Sequence, residues 1–130
     1  MSIRVVKLGS PRTADEGTRI GTVRRPPRGV PKTEFVSGNW YDVWYPNLAP
    51  SADTMKMGQT AETPTQWQAF EKAYRQEMKA PDAARTIDLL AALSQHANFS
   101  IGCYCDNEAH CHRGILKRLL VDAGACMAEG

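Results

Sequence analysis

The residues from Phe99 to Leu120 leave the chain few ways to fold. Phe99–Cys105, Phe-Ser-Ile-Gly-Cys-Tyr-Cys, is a short, mostly apolar run without polar alternation, the pattern of a strand covered on both faces. Asp106 and Asn107 end it, and either can cap a helix, because a side-chain oxygen accepts a free backbone N–H. Beyond them Ile115, Leu116, Leu119, Leu120 and Ala123 repeat as one stripe, which predicts an amphipathic helix, and Gly124 is placed to stop it. A strand that feeds a helix puts its turn at the strand's carboxyl end, where open α/β sheets bind ligands.

That turn concentrates the reactive side chains. Three of the four cysteines, two of the three histidines and Arg113 lie between Cys103 and Arg113. The first turn of a helix carries unpaired N–H groups and partial positive charge. Cys111, His112 and Arg113 at such a place favour an anion, most simply a phosphate, and a thiol there is expected to have its pKa lowered.

Around this element the rest reads as follows. Ile3–Leu8 and Thr18–Val23 are strand candidates, and a further short strand is expected near Tyr41–Trp44. Arg24-Arg25-Pro26-Pro27-Arg28-Gly29-Val30-Pro31-Lys32 holds too much proline for a helix or a central strand. It is expected to be a stiff loop whose Arg24, Arg25, Arg28 and Lys32 clamp phosphates, with Trp40 and Trp44 near enough to stack a base. Ser51 begins a short helix that Gly58 is expected to end. Thr63 and Gln66 have capping-box spacing, and Pro64 suits the first position of the helix carrying Trp67, Phe70 and Tyr74. Pro81 opens the next helix, which runs to about His96. The order implies an α/β fold: a single layered domain over 1–130, its small sheet at least partly parallel and flanked by helices, with the residues from about Cys126 frayed.

Composition bounds the function. Of 130 residues 42% are hydrophobic and 23% charged, an ordinary globular balance. A net charge of +2 is too mild to argue for nucleic acid alone. No apolar run nears the roughly 20 residues that span a bilayer, and Met1–Leu8 lacks the apolar core of a signal peptide. A cytoplasmic setting follows, in which the cysteines are thiols or ligands rather than structural disulfides.

Three chemistries compete at the turn. A zinc set from Cys103, Cys105, His110, Cys111 and His112 has the right residue types. In a regular strand, however, Cys103 and Cys105 sit about 6.6–7 Å apart, against about 3.8 Å between sulfurs on tetrahedral zinc. No metal or other cofactor is therefore expected, and Cys103 reads as a small buried residue. A catalytic thiol at Cys105 or Cys111, with His112 as proton acceptor, is a second possibility. A phosphatase-type loop is excluded, because Cys111, not an arginine, stands six positions after Cys105. The leading expectation is an anionic ligand, a phosphate-bearing small molecule or nucleic-acid fragment, held between the Arg24–Lys32 loop and the Cys111–Arg113 helix start. A thiol-dependent enzyme, a metal-binding module and an interaction domain remain as alternatives.

Four stretches carry a family resemblance: Pro27-Arg28-Gly29-Val30-Pro31-Lys32, Leu48-Ala49-Pro50-Ser51, the helix with Trp67, Phe70, Tyr74 and Glu77, and Cys103-Tyr104-Cys105 through Cys111-His112-Arg113. Over roughly Arg19–Leu120 the chain resembles the family named domain of unknown function 488, whose relatives include the YeaO-like proteins, and its Cys-His-Arg branch in particular. It differs from the YeaO-like proteins in Pro26, where they carry Trp, and in ending Cys-His-Arg rather than Asn-His. The resemblance implies a compact α/β domain of bacterial, cytosolic type.

Overall fold

The computed structural model describes residues 1–128. Four strands, β1 (Ile3–Lys7), β2 (Thr18–Gly21), β3 (Val43–Trp44) and β4 (Phe99–Cys103), form one sheet. Its order is β1-β4-β2-β3 and every pairing is parallel. The apolar run that dominates the sequence becomes the inner strand β4. All five of its residues are buried, as a parallel strand with neighbours on both sides requires when helices cover its Phe99–Ile101 face and the segment around Glu16 covers Ser100 on the other. Ile3 of β1 and Thr18 of β2 both stand opposite Phe99, and the pairing runs on to Lys7–Cys103 on one side and Gly21–Gly102 on the other. The carboxyl ends of β1, β2 and β4 therefore finish along one edge of the sheet.

The helices are α1 (Ala52–Thr60), α2 (Pro64–Glu77), α3 (Pro81–Leu93) and α4 (His112–Asp122). The expected start signals operate. Ser51 Oγ accepts from Thr54 N at 3.3 Å, Thr63 and Gln66 form a reciprocal capping box, and Pro64 and Pro81 occupy first helical positions. Two expectations fail locally. Gly58 does not end α1 but lies inside it, where a Cβ would stand 2.8 Å from the Phe70 ring. The missing side chain lets α1 pack onto α2 and outweighs the helix-breaking tendency of glycine. Asn107 caps the 3₁₀ turn Glu108–His110 rather than α4, which begins at Cys111 with no side-chain cap.

Ile3, Phe99 and Ile101 of the sheet pack with Phe70 and Tyr74 of α2, Ile87 and Leu90 of α3, and Ile115, Leu116 and Leu120 of α4. Each large apolar side chain taken from water contributes about 1.5–3 kcal/mol before the entropy of ordering is subtracted. Gly124, at φ +95°, ends α4 as expected. The tail expected to fray from Cys126 instead lies beside β1: Ile3 N donates to Cys126 O at 2.9 Å, and Ala128 N to Ile3 O at 2.7 Å. Residues 129–130 of that tail lie outside the described residues. Among the described residues no helix is long and apolar enough to cross a membrane.

Candidate functional site

A cleft of about 1600 Å³ opens at the carboxyl edge of the sheet. Leu8–Ser10 after β1, Val23 and Arg24 after β2, and Cys103–Cys105 at the end of β4 line it together with Cys111 and His112. A parallel sheet delivers all its strand ends to one side, which is why segments some eighty residues apart meet here. The basic loop and the start of α4 thus share one cavity.

The loop is fastened at its root. Trp44 Nε1 donates to Val23 O at 2.7 Å, and Tyr104 Oη donates to Arg25 O at 2.8 Å. Pro27 is buried, while Arg24, Arg25 and Arg28 are exposed and line the cleft. Among the described residues none of these three is in an ion pair. Lys32 opens a 3₁₀ turn and does not line the cleft. Lys7 does, but its ammonium is paired with Asp106. Trp40, Trp67, Phe70 and Tyr104 give the walls their apolar surface.

The floor carries the sulfur and imidazole groups. His112 is buried, and its Nε2 lies 2.7 Å from Thr22 O. A carbonyl oxygen only accepts, so Nε2 holds the proton and Nδ1 is left as a bare acceptor, 3.8 Å from Cys111 Sγ. Burial pushes the His112 pKa down to about 4, against the Thr22 hydrogen bond and with help from the Arg113 charge. The ring is therefore neutral near pH 7.

Cys103 and Cys111, both buried, bring their sulfurs into contact. They do so across a Cα–Cα span of 7.9 Å, beyond the roughly 4.4–6.8 Å of relaxed disulfides. The backbone here thus favours two sulfurs side by side over a covalent bridge, against the pairing that their contact suggests.

Arg113, expected to meet the ligand, is turned inward. It is 5% exposed, and its Nη1 donates to Cys103 Sγ at 3.2 Å and to Cys105 O at 2.5 Å. Cys105 is exposed at the cleft, yet desolvation pushes its thiol above the ordinary value; Arg113 opposes this and Asp106 reinforces it. The net shift at Cys105 is thus upward, opposite in direction to the lowering expected of a thiol at the helix start.

With that geometry in place, the chain matches the family model described as the active DUF488-N3 subclade over residues 3–124. The chain belongs to the DUF488 family. No curated protein and no solved structure matches it.

In this DUF488 chain the cleft pairs a cationic rim with a floor of two sulfurs and a neutral imidazole. The structure brings Arg24, Arg25, Arg28, Cys105, Cys111 and His112 together and leaves Lys32 and the Arg113 guanidinium outside. Sequence reasoning put Cys103 and Cys111 into one candidate zinc set and set it aside on the Cys103–Cys105 spacing, without foreseeing that the sulfurs of Cys103 and Cys111 meet. The available signal was the break in the chain between them: the turn that carries Cys105 away folds residue 111 back onto residue 103. It also missed Glu16 and Arg19, whose buried ion pair holds the cleft's outer loops. Arg19 Nε and Nη2 reach Glu16 at 2.7 and 2.9 Å, and Nη1 donates to Ser10 O and Asn39 O at 2.9 and 2.7 Å.

Proposed function

We propose that this DUF488 domain binds a phosphate-bearing ligand, a nucleotide or a short nucleic-acid segment, in the cleft at the carboxyl edge of its sheet. The observation that carries the reading is that Arg24, Arg25 and Arg28, free of ion pairs among the described residues, face the same cavity as the uncapped start of α4. The proline-rich backbone holds the guanidinium groups in place before binding, which lowers the ordering cost. Forked guanidinium donors match phosphate oxygens in pairs. Trp40 and Trp67, also in the lining, offer faces on which a base stacks. Arg113 has no part in this contact, since its guanidinium is committed to Cys103 and Cys105.

Titration with nucleotides and with oligonucleotides at several salt concentrations tests the reading. The expected result is binding that weakens steadily with salt. Each of Arg24→Ala, Arg25→Ala and Arg28→Ala should weaken it by about tenfold or more, the scale of a roughly 1.5–3 kcal/mol hydrogen bond to a charged group. Binding that ignores salt, or that survives the triple variant, overturns it.

A further inference from the structure

We propose that Cys103, Cys111 and His112 form a site for a divalent metal ion, Zn²⁺ by preference, with one coordination position open to the cleft. The two Sγ atoms and one imidazole nitrogen all lie within 4.8 Å of one another. Two thiolates and an imidazole select zinc over the hard cations magnesium and calcium, which take oxygen ligands. Three protein ligands with a vacant direction are the pattern of a zinc ion that holds a water or an anionic oxygen in its fourth position. All three side chains line the cleft, so that position faces any bound ligand.

Three further features support an ion. His112 Nε2–H donates to the Thr22 carbonyl at 2.7 Å, the outer contact that orients a metal-bound imidazole and leaves its other nitrogen free to coordinate. Arg113 is buried, has no ion pair among the described residues, and donates to Cys103 Sγ at 3.2 Å. Its guanidinium, which also feels the Asp106 and Glu108 carboxylates, thus places a charged donor on the sulfur that would coordinate, a contact that suits a metal-bound thiolate. The 7.9 Å Cα span is too long for a relaxed disulfide and leaves room for the sulfurs to part to the about 3.8 Å that tetrahedral zinc sets. The spacing objection to zinc applied to Cys103 with Cys105, and Cys105 is not in the cluster.

The test uses the full chain, produced with added zinc and purified without chelator. Elemental analysis should find about one zinc per chain. After denaturation in chelator without reductant, all four cysteines should titrate as thiols. Replacing zinc by Co²⁺ should give a thiolate-to-cobalt charge-transfer band. Cys103→Ser and Cys111→Ser should lose the metal, and Cys105→Ser and Cys126→Ser should keep it. Zinc well below one per chain, two thiols missing from the titration as in a disulfide, or full zinc retained in Cys111→Ser overturns the proposal. Should the serine variants fail to fold, the absence of the cobalt band in the folded wild-type chain does the same. None of these readouts involves a phosphate ligand, so the site stands or falls apart from the anion-binding reading.

Discussion

At the scale of single residues, Arg19 and Glu16 show how a charged pair survives in a core. Both are buried, and Arg19 spends its donors on the Glu16 carboxylate and on the carbonyls of Ser10 and Asn39. Ser100 Oγ donates to Glu16 at 2.7 Å. Removing one member strands the other without compensation. Arg19→Met is therefore expected to destabilise the fold by about 3–5 kcal/mol, read from urea unfolding, and a loss under about 1 kcal/mol would refute it. Neither residue announced itself in the sequence, where both look like ordinary surface charges flanking a loop; only the pairing of β2 with β4 brings Ser100 beneath them. Cys103 is buried as expected, but its contacts were hidden for a related reason. Its chemistry comes from Cys111 and Arg113, and strand periodicity says nothing about either.

Elements were more legible, because their signals are local. The capping box at Thr63 and Gln66, the prolines at the starts of α2 and α3, and the stripe of α4 all depend on neighbours within a turn or two. What failed was set by a partner element. Gly58 stays helical because Phe70 occupies the space over it, and Asn107 serves a 3₁₀ turn that the sequence did not signal. Glu77 belongs to the same class: its carboxylate accepts from Ser51 N, Ser51 Oγ and Thr54 Oγ1 at 2.8, 2.6 and 2.6 Å, tying the end of α2 to the start of α1. Glu77→Ala is expected to cost about 1–3 kcal/mol and to raise amide exchange in α1 more than in α3. Equal exchange in the two helices would count against this coupling.

For the whole molecule, the carboxylates and the buried His112 together set the response to acid. Burial pushes Glu16 up, but hydrogen bonds from Arg19 and Ser100 and the Arg19 charge leave it below the ordinary 4.5. Desolvation likewise opposes, and hydrogen bonds outweigh it, at Asp42, which accepts from Arg12 and Arg19, and at Glu77. Groups whose folded pKa is depressed contribute stability that is present above their unfolded values and lost as pH falls through the folded ones. Unfolding midpoints should therefore begin to fall below about pH 6.5, where His112 takes up a proton only in the unfolded chain, and fall more steeply below about pH 4, where Glu16→Gln should flatten the fall; a midpoint that rises on acidification would contradict the assignment. The architecture itself was open to sequence reasoning as a layered α/β fold, but strand order was not, because parallel partners lie far apart along the chain. That separation has a consequence for assembly. β1 and β2 precede β4 in the chain yet do not touch each other; β2 has β3 as an early partner on one edge, but β1 and the other edge of β2 wait for β4, which arrives about eighty to ninety residues later. A growing polypeptide therefore leaves the ribosome with β1 unpaired and β2 paired on one edge at most until residues 99–103 have emerged. The cleft, whose floor comes from the same later segment, is completed only once residues 99–113 have followed the basic loop, rather than built up along the way.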